Sequence, residues 1–419
     1  MTQLKKYDPE VATLVAAEAR RQQNTIDLIP SENIVSRAVR ETLGSELTNK
    51  YSEGYAHKRY YAGNRVIDDI ELLAIERAKK VFGLGKEWSV NVQALSGSPA
   101  NMAVYFALLK PGDKVMGMSL SFGGHLTHGA SVNFSGKLFT MIPYGVDRKG
   151  YLDYAAIREL AVKEKPRMII AGATAYSRVI DFEKFGAIAR EVGAYLMVDM
   201  AHIAGLVAVG AHPSPFPHAD VVTTTTHKTL RGPRGALIFS RNDRVLRAGE
   251  KEISLSQAID KAVFPGLQGG PHDNQTAAIA VALKEAMTPT FKKYGRQIVK
   301  NADVLASALQ KHGIEIVSGG TDNHLMLIDL TKLGISGREA QDRLEEAGIV
   351  VNRNTIPYDT RSPFDPSGIR IGTPSVTTRG MKEKEMREIA RMISGVLMKA
   401  DIKSTKKAVA GLCARFPIA

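Results

Sequence analysis

The middle of the chain alternates short apolar runs with longer segments of helical spacing. Between about residues 80 and 280, the apolar runs have the length of strands, at 88–94, 114–118, 168–173, 195–199, 221–226 and 236–240. The segment 181–192 repeats apolar positions at helical spacing and has Asp181 where a helix cap belongs. Alternation of this kind predicts a mainly parallel sheet with helices on both faces.

Both ends of the chain have a different pattern. Residues 1–50 hold one amphipathic helix, at 9–22, followed by a polar stretch, which indicates an arm rather than a domain. After residue 288 the predicted elements are a helix at 291–311, strands at 315–318, 324–330 and 349–352, and helices at 338–347 and 382–398. The domains predicted from these patterns are an arm (1–50), a large domain (51–287) and a small C-terminal α/β domain (288–419).

The composition is that of an ordinary globular protein. Of the 419 residues, 44% are hydrophobic and 24% are charged, and the length allows two or three sizeable cores. The single cysteine, Cys413, excludes an internal disulfide framework. No apolar run reaches the length of a membrane span, and the first residues lack the apolar core of a signal peptide, so we expect a cytoplasmic location.

The net charge of +13 favours anionic partners. Lysine and arginine are nevertheless scattered among 43 acidic residues, and aromatic residues, at 6% of the chain, are too few for a base-stacking surface. We therefore do not expect nucleic acid as the main partner. A polyanion-binding or RNA-binding role is the alternative that the charge leaves open.

The strand predicted at 221–226 runs directly into Lys228, which is flanked by His227 and a turn rich in glycine and proline. Ligands in α/β proteins bind at the carboxyl ends of strands. A lysine buried there loses its proton more easily and can attack a carbonyl to form a Schiff base. A lysine at a strand end is more often a solvated charge, so Lys228 alone does not decide the function.

Two further strand ends supply groups that a pyridoxal-phosphate cofactor requires. Asp199 ends one predicted strand, where a carboxylate can keep the ring nitrogen of the cofactor protonated. The turn of Ser96, Gly97 and Ser98 precedes a helix, whose free N–H groups bind phosphate. Taken singly, Asp199 is also a good helix cap and His202 an ordinary core histidine. Together with the lysine, these residues predict a pyridoxal-phosphate site.

The histidines also raise the question of a metal site. His125 and His128 are three residues apart, as are Asp199 and His202. Neither pair has the spacing of helical zinc ligands, and neither has a third ligand nearby in the sequence. We therefore expect no metal.

Ordered motifs along nearly the whole chain resemble those of the serine hydroxymethyltransferase family, which are fold-type I pyridoxal-phosphate enzymes. The matching segments are 31–33, 47–55, 58–61, 96–98, 123–129, 199–202, 221–235, 264–271 and 367–374. The resemblance implies an α/β fold of fold type I, with a seven-stranded, mainly parallel sheet in the large, cofactor-binding domain. It also implies reversible cleavage of the Cα–Cβ bond of L-serine to glycine, with tetrahydrofolate or a related pterin accepting the one-carbon unit.

The resemblance also implies the cofactor contacts. Lys228 would hold pyridoxal phosphate covalently, and Asp199 would pair with its ring nitrogen. His125 would stack on the ring, with His202 near the phenolic oxygen. The residues implied to surround the rest of the cofactor are Ser96, Gly97 and Ser98 at its phosphate, Gly269 and Gly270 from a second subunit, Thr174, Arg234 and Tyr51.

The implied substrate contacts come partly from a partner chain. Arg370 would grip the substrate carboxylate with its two-pronged guanidinium. Glu53 and Tyr51 would reach over from the partner, with Glu53 transferring a proton, so we expect a homodimer or tetramer with shared sites. The other implied residues are His227, Tyr61 and Thr225 as catalytic groups, Ser31, Tyr61 and His202 at the amino acid, and Leu120, Gly124, Leu126 and Asn354 at the pterin.

The chain departs from the usual family pattern in the loop at 56–65 and at Thr174, and these departures leave alternatives open. The departures are Ala56 and His57 for Pro-Gly, Ala62 and Gly63 for Gly-Gly, Asn64 and Arg65 after that pair, and Thr174 for serine. The nearest alternative is a pterin-independent aldolase or hydroxymethyltransferase acting on threonine-like or α-methyl β-hydroxy amino acids. An aminotransferase is a less favoured alternative.

Overall fold

The computed structural model describes residues 2–248 and 251–418. The strands are β1 (Ile26–Asp27), β2 (Gly54–Tyr55), β3 (Lys58–Arg59), β4 (Trp88–Asn91), β5 (Lys114–Met118), β6 (Thr140–Tyr144), β7 (Met168–Ala171), β8 (Tyr195–Asp199), β9 (Val221–Thr225), β10 (Ala236–Arg241), β11 (Val245–Ala248), β12 (Lys251–Ser254), β13 (Glu315–Ile316), β14 (Leu325–Asp329), β15 (Ile349–Val350), β16 (Asn352–Asn354) and β17 (Gly368–Gly372).

Helices connect many of these strands, and helices also come first and last along the chain. They are α1 (Thr2–Tyr7), α2 (Pro9–Asn24), α3 (Arg37–Leu43), α4 (Arg65–Phe82), α5 (Gly97–Leu108), α6 (Phe134–Leu138), α7 (Tyr154–Glu164), α8 (Phe182–Val192), α9 (Ala204–Ala208), α10 (Leu255–Lys261), α11 (Asp273–Ala286), α12 (Pro289–Lys311), α13 (Gly337–Glu346), α14 (Pro374–Thr378), α15 (Glu383–Leu397) and α16 (Ile402–Arg415). Within the described residues, none of these helices combines the length and the apolar character needed to cross a membrane.

Seven strands form the central sheet, in the order β4-β10-β9-β8-β7-β5-β6. Five of these strands are parallel to one another: β9, β8, β7, β5 and β6. In contrast, β10 runs antiparallel to both β9 and β4. The seven-stranded, mainly parallel sheet implied by the resemblance is therefore confirmed. The sequence pattern does not predict β6, because this strand contains Pro143 and partly exposed side chains rather than a continuous apolar run.

Apolar side chains bury both faces of this sheet. Ile169 packs with Phe185 in a core on one face, and Ile170 packs with Tyr105 in a core on the other. Successive side chains of a strand point to opposite faces of the sheet. Because both faces are covered, the sequences of the central strands contain continuous apolar runs. The helix predicted at 181–192 is α8, and the carboxylate of Asp181 accepts a backbone hydrogen bond at 3.1 Å as its cap.

Several strands end earlier than the apolar pattern predicts. β4 ends at Asn91 rather than at 94, β7 at Ala171 rather than at 173, and β9 at Thr225 rather than at 226. The remaining residues of each run continue as loops at the carboxyl edge of the sheet. This edge is where the sequence places the candidate chemistry.

A second sheet of four antiparallel strands, β13-β14-β17-β16, lies in the C-terminal region and is covered by α12, α13 and α15. The strand predicted at 349–352 divides in two, because β16 joins this sheet whereas β15 pairs in parallel with β1. Ile26 and Leu28 of the N-terminal segment are fully buried in the same core. The division into an arm, a large domain and a small domain stays a prediction.

Candidate active site

The carboxyl edge of the parallel strands gathers most of the residues singled out by the sequence. Asp199 is the last residue of β8, Thr225 is the last of β9, and Lys228 follows shortly after it. A cavity of about 450 Å³ opens at this edge, and we call it the Lys228 cavity. Its walls are formed by Ser31, Glu32, Ser96, Gly97, Ser98, Leu120, Gly124, His125, Leu126, Thr174, His202, Thr225, His227, Lys228, Arg234, Asn354 and Arg370.

Lys228 is only 8% exposed in this cavity. Burial lowers the pKa of its amine to about 8, and the guanidinium groups of Arg370 and Arg234 act in the same direction, while Asp199 opposes them. An amine with this pKa is partly neutral at physiological pH, as a nucleophile toward an aldehyde must be. The desolvated lysine that the sequence predicts is thus present at the end of β9.

Asp199 is a largely buried carboxylate held by three groups. Asn101 Nδ2 donates to Oδ2 at 2.8 Å, His128 Nε2 lies 3.1 Å from the same oxygen, and the backbone N–H of Ala201 donates to Oδ1 at 3.0 Å. Burial works to raise the pKa of Asp199, but the His128 hydrogen bond and the charge of Lys228 hold it well below its usual range. The side chain is therefore an anion, as is needed to hold a proton on a pyridine nitrogen.

The two histidines of the 123–129 motif do have a third possible metal ligand. Ligand atoms of His125, His128 and Asp199 all lie within 4.8 Å of one another. Neither pair has a third ligand nearby in the sequence, but the fold carries Asp199, at the end of β8, to the 123–129 motif. These atoms already have partners: His125 Nδ1 lies 2.7 Å from Thr127 Oγ1, and His128 Nε2 bonds to Asp199. The group thus supports a carboxylate by hydrogen bonding.

The turn of Ser96, Gly97 and Ser98 forms one end of the cavity, where α5 begins. Gly97 lies so close to β9 that a β-carbon there would approach Cγ2 of Thr225 to 2.7 Å, so this position favours glycine. The side chain of Ser96 makes no capping bond to the helix. Its hydroxyl and the free N–H groups of the first helical turn are therefore suited to a phosphate.

Arg370 reaches the cavity from β17 of the second sheet. Its Nη1 donates to the backbone carbonyl of Thr174 at 2.6 Å, and its Nε donates to Asn352 Oδ1 at 3.1 Å. Burial lowers the pKa of Arg370 to about 10, which leaves the guanidinium charged at physiological pH. Because two of its nitrogen atoms are held, the guanidinium has a fixed orientation for binding a carboxylate.

Five of the implied residues lie together in another place, and we call them the Glu53 cluster: Tyr51, Glu53, Tyr61, Gly269 and Gly270. Tyr51 Oη donates to Glu53 Oε1 at 3.2 Å, and its ring meets the Tyr61 ring edge-on at a centroid distance of 5.0 Å. A β-carbon on Gly269 would approach Glu53 Oε1 to 2.9 Å. In the described part of the chain, none of the five lines the Lys228 cavity. Tyr51 is 52% exposed.

A buried arginine supports the Glu53 cluster. Arg59 bonds to two carboxylates of α4, through Nε at 2.8 Å and Nη2 at 2.9 Å. Its Nη1 donates to the backbone carbonyls of Ser52 and Gly54 at 3.0 and 2.7 Å. Because these two residues flank Glu53, the arginine fixes the backbone that presents the Glu53 carboxylate.

Comparisons with known proteins agree with this geometry. A family model described as serine hydroxymethyltransferase matches residues 4–393. A protein of Desulfotalea psychrophila (strain LSv54 / DSM 12343) named serine hydroxymethyltransferase is 56% identical over 421 residues, which span 100% of this chain and 96% of the relative. The chain belongs to the serine hydroxymethyltransferase family.

Membership of the serine hydroxymethyltransferase family confirms the predicted fold class, activity and cofactor. The chain is a pyridoxal-phosphate-dependent hydroxymethyltransferase that interconverts serine and glycine with tetrahydrofolate as co-substrate. The Lys228 cavity fits this cofactor, because the start of α5, the anionic Asp199 and the partly neutral Lys228 match its phosphate, ring nitrogen and aldehyde. The roles of the individual site residues stay predictions.

Four residues at this hydroxymethyltransferase site have no role in the sequence prediction. Asn101, Thr127 and His128 form the hydrogen-bonded support of Asp199, and Glu32 lines the cavity. Helical spacing places Asn101 one turn after the turn of Ser96, Gly97 and Ser98 on α5, but its bond to Asp199 is visible only in the folded chain. His128 belongs to a recognised motif, but its partner becomes visible only in the folded chain.

Proposed function

We propose that the enzyme interconverts serine and glycine at the Lys228 cavity, with the Glu53 cluster of a second copy completing the site. The observation that carries this proposal is the buried Lys228 amine, whose pKa lies near 8, in a cavity that ends at the start of α5. Arg370 in the same cavity supplies a fixed cation for an amino-acid carboxylate.

The proposed chemistry divides between the cofactor and the side chains. Bound pyridoxal phosphate supplies an electron sink for the charge left on the substrate Cα. Lys228 would hold the cofactor through its amine. Asp199, kept anionic by His128, would keep the ring nitrogen protonated, and His125 would lie beside the ring. Ser96, Gly97 and Ser98 bind the phosphate through N–H and hydroxyl groups.

Arg370 is proposed to bind and orient the substrate. Its Nε and Nη1 are tied to Asn352 and Thr174, so the plane of the guanidinium cannot rotate freely. A carboxylate bound to this plane holds the amino acid in one orientation, which places the bond to be cleaved in a reproducible position.

The remaining wall residues are proposed to shape the cavity for serine and the pterin. Leu120 and Leu126 are 47% and 45% exposed at its rim, and such apolar side chains suit a flat ring system. Burial lowers the pKa of His227 to about 3, so this histidine is neutral beside Lys228. The other residues proposed to contact cofactor or substrate are Ser31, Gly124, Thr174, His202, Thr225, Arg234 and Asn354.

The Glu53 cluster is proposed to serve the cavity of a partner chain. Its carboxylate and two phenol groups lie together, but in the described chain they do not line the cavity that holds Lys228. A two-fold homodimer would let each copy supply the cluster to the other. Glu53 would then move the proton of the serine hydroxyl, and Gly269 and Gly270 would approach the phosphate. A cytoplasmic location is part of the same proposal.

Serine turnover with and without tetrahydrofolate tests the proposed function. We expect glycine and a one-carbon product of the pterin to form together, and only a slow reaction when the pterin is omitted. Turnover that is indifferent to tetrahydrofolate, with faster cleavage of threonine-like or α-methyl β-hydroxy amino acids, would contradict the proposal and favour the pterin-independent alternative.

A further inference from the structure

A buried pair of histidines lies behind the Lys228 cavity. His202 Nδ1 and His324 Nε2 are 3.2 Å apart, and the two ring centroids are separated by 5.5 Å. His324 is fully buried, and His202 is 4% exposed. One of the two facing nitrogens must carry a hydrogen for this contact to be a hydrogen bond.

The two rings have different surroundings on their far sides. His202 lines the Lys228 cavity, and its Nε2 has no hydrogen-bond partner within the described residues. His324 does not line that cavity. It borders a separate interior void of about 10 Å³, next to Tyr176 and Asn323, which His202 also borders. The pair therefore lies between the Lys228 cavity and the protein interior, and only His202 reaches the cavity.

The far nitrogen of His324 has no partner among the described protein groups. This buried Nδ1 makes no hydrogen bond within the described residues, and two polar side chains at the same void have other partners. His212 bonds through both ring nitrogens, to Ile180 and Pro213, and Asn323 donates to the carbonyl of Tyr176. A hydrogen on His324 Nδ1 would therefore be a buried donor without an acceptor, which proteins strongly avoid.

Burial and the charges around the pair keep both rings neutral. Burial lowers the pKa of His324 to about 3, and the cations Arg370 and Lys228 act in the same direction. Burial, followed by the charge of Lys228, also places the pKa of His202 well below its usual range. Both rings are thus neutral at physiological pH. Each ring therefore carries a single hydrogen, on one of its two nitrogens.

We propose that His324 is a positioning residue that fixes the tautomer of His202. With Nδ1 bare, His324 carries its hydrogen on Nε2 and donates it to His202 Nδ1. His202 must then carry its own hydrogen on Nε2, where it is a donor toward the Lys228 cavity. The donor meets an anionic oxygen, either the phenolic oxygen of the cofactor or the carboxylate of the amino acid. Only the identity of that oxygen rests on the proposed function.

The tautomer can be measured directly in the holoenzyme. Nitrogen-15 NMR of histidine-labelled protein, with His202 assigned by comparison with His202→Gln, distinguishes protonated from bare ring nitrogens. We expect Nε2 of His202 to carry the hydrogen and Nδ1 to be bare. A hydrogen on Nδ1 of His202 would overturn the inference. The measurement needs no turnover, so failure of the proposed function and failure of this inference are separate results.

Variants of His324 test its part in the arrangement. His324→Phe keeps a ring but removes the donor, so we expect His202 to populate both tautomers and the dissociation constant of pyridoxal phosphate to rise about tenfold. His324→Gln keeps an N–H donor and should restore most of the loss. His212→Phe, at the same void, should leave the nitrogen signals of His202 unchanged. Unaltered His202 signals in folded His324→Phe would contradict the proposed role.

Discussion

The Lys228 cavity and the Glu53 cluster are built in opposite ways. The cavity lies at the ends of buried parallel strands, and burial changes the acidity of its main groups, Lys228 and Arg370. The cluster lies beside the short hairpin of β2 and β3, with Tyr51 half exposed, and Arg59 holds the backbone on both sides of Glu53. The difference fits the proposal that the cavity binds the cofactor within its own chain, whereas the cluster serves the cavity of a second copy.

Removing the buried amine should have the largest effect. In Lys228→Ala we expect serine turnover to fall by at least about a thousandfold, because no amine remains to hold the cofactor. Steady-state kinetics and the absorbance of bound pyridoxal phosphate measure the loss. Lys110→Ala, at an exposed position outside the cavity, is the matched control and should behave as wild type. Retention of covalently held cofactor in Lys228→Ala would contradict the account of the cavity.

Removing the arginine that supports the Glu53 cluster should have the second-largest effect. Arg59→Ala leaves the buried carboxylates of Asp68 and Glu71 without their cation, and we expect a loss of about 3–5 kcal/mol in unfolding free energy. Arg158→Ala removes an exposed pair with Glu191 and should lower the unfolding free energy far less than Arg59→Ala does. Denaturant unfolding of both variants measures the difference. Equal losses would show that the buried network does not stabilise the hairpin.

A smaller effect is expected from a change of cation shape in the cavity. Arg370→Lys keeps the charge but loses the bidentate geometry, so kcat/KM for serine should fall about a hundredfold, mainly through KM. Arg353→Lys, on the neighbouring strand β16, is the control. If the serine KM of Arg370→Lys stays at the wild-type value, Arg370 does not bind the carboxylate.

The unusual loop beside the cluster should give the smallest effect. His57 has a φ of 63°, a left-handed conformation that favours glycine, and it stands where the family usually has glycine. His57→Gly relieves this conformation but also removes an exposed contact with Asp68. We expect the net result to be a rise of about 0.5 kcal/mol in the free energy of unfolding. Gly63→Ala, at φ 76°, should change stability in the opposite direction by about 1 kcal/mol. A destabilised His57→Gly would mean that the loop needs its histidine.

The sequence predicts the cavity better than it predicts the support around it. Lys228, Asp199 and the turn at Gly97 follow strand ends, and a strand end is a local feature that apolar runs reveal. The bonds from Asn101 and His128 to Asp199 join distant segments, so neither periodicity nor motif spacing predicts them.

The same limit applies to the least regular strands. β1 and β15 are two residues long, and their pairing joins residues 26 and 349 without any repeating pattern. β6 is at the edge of the large sheet and lacks the apolar run of its neighbours. Elements that are short or half exposed are positioned by tertiary contacts rather than by local pattern.

A heterodimer of two inactive variants tests most directly whether the two regions meet across copies. Glu53→Gln should lose about a hundredfold or more of its activity on its own, and Lys228→Ala should be inactive. Co-expressed with different tags, the two form a heterodimer in which one site carries both changes and the other carries neither. We predict that the purified heterodimer has about half of the wild-type activity. A purified heterodimer as inactive as its parents would show that Lys228 and Glu53 act within one chain.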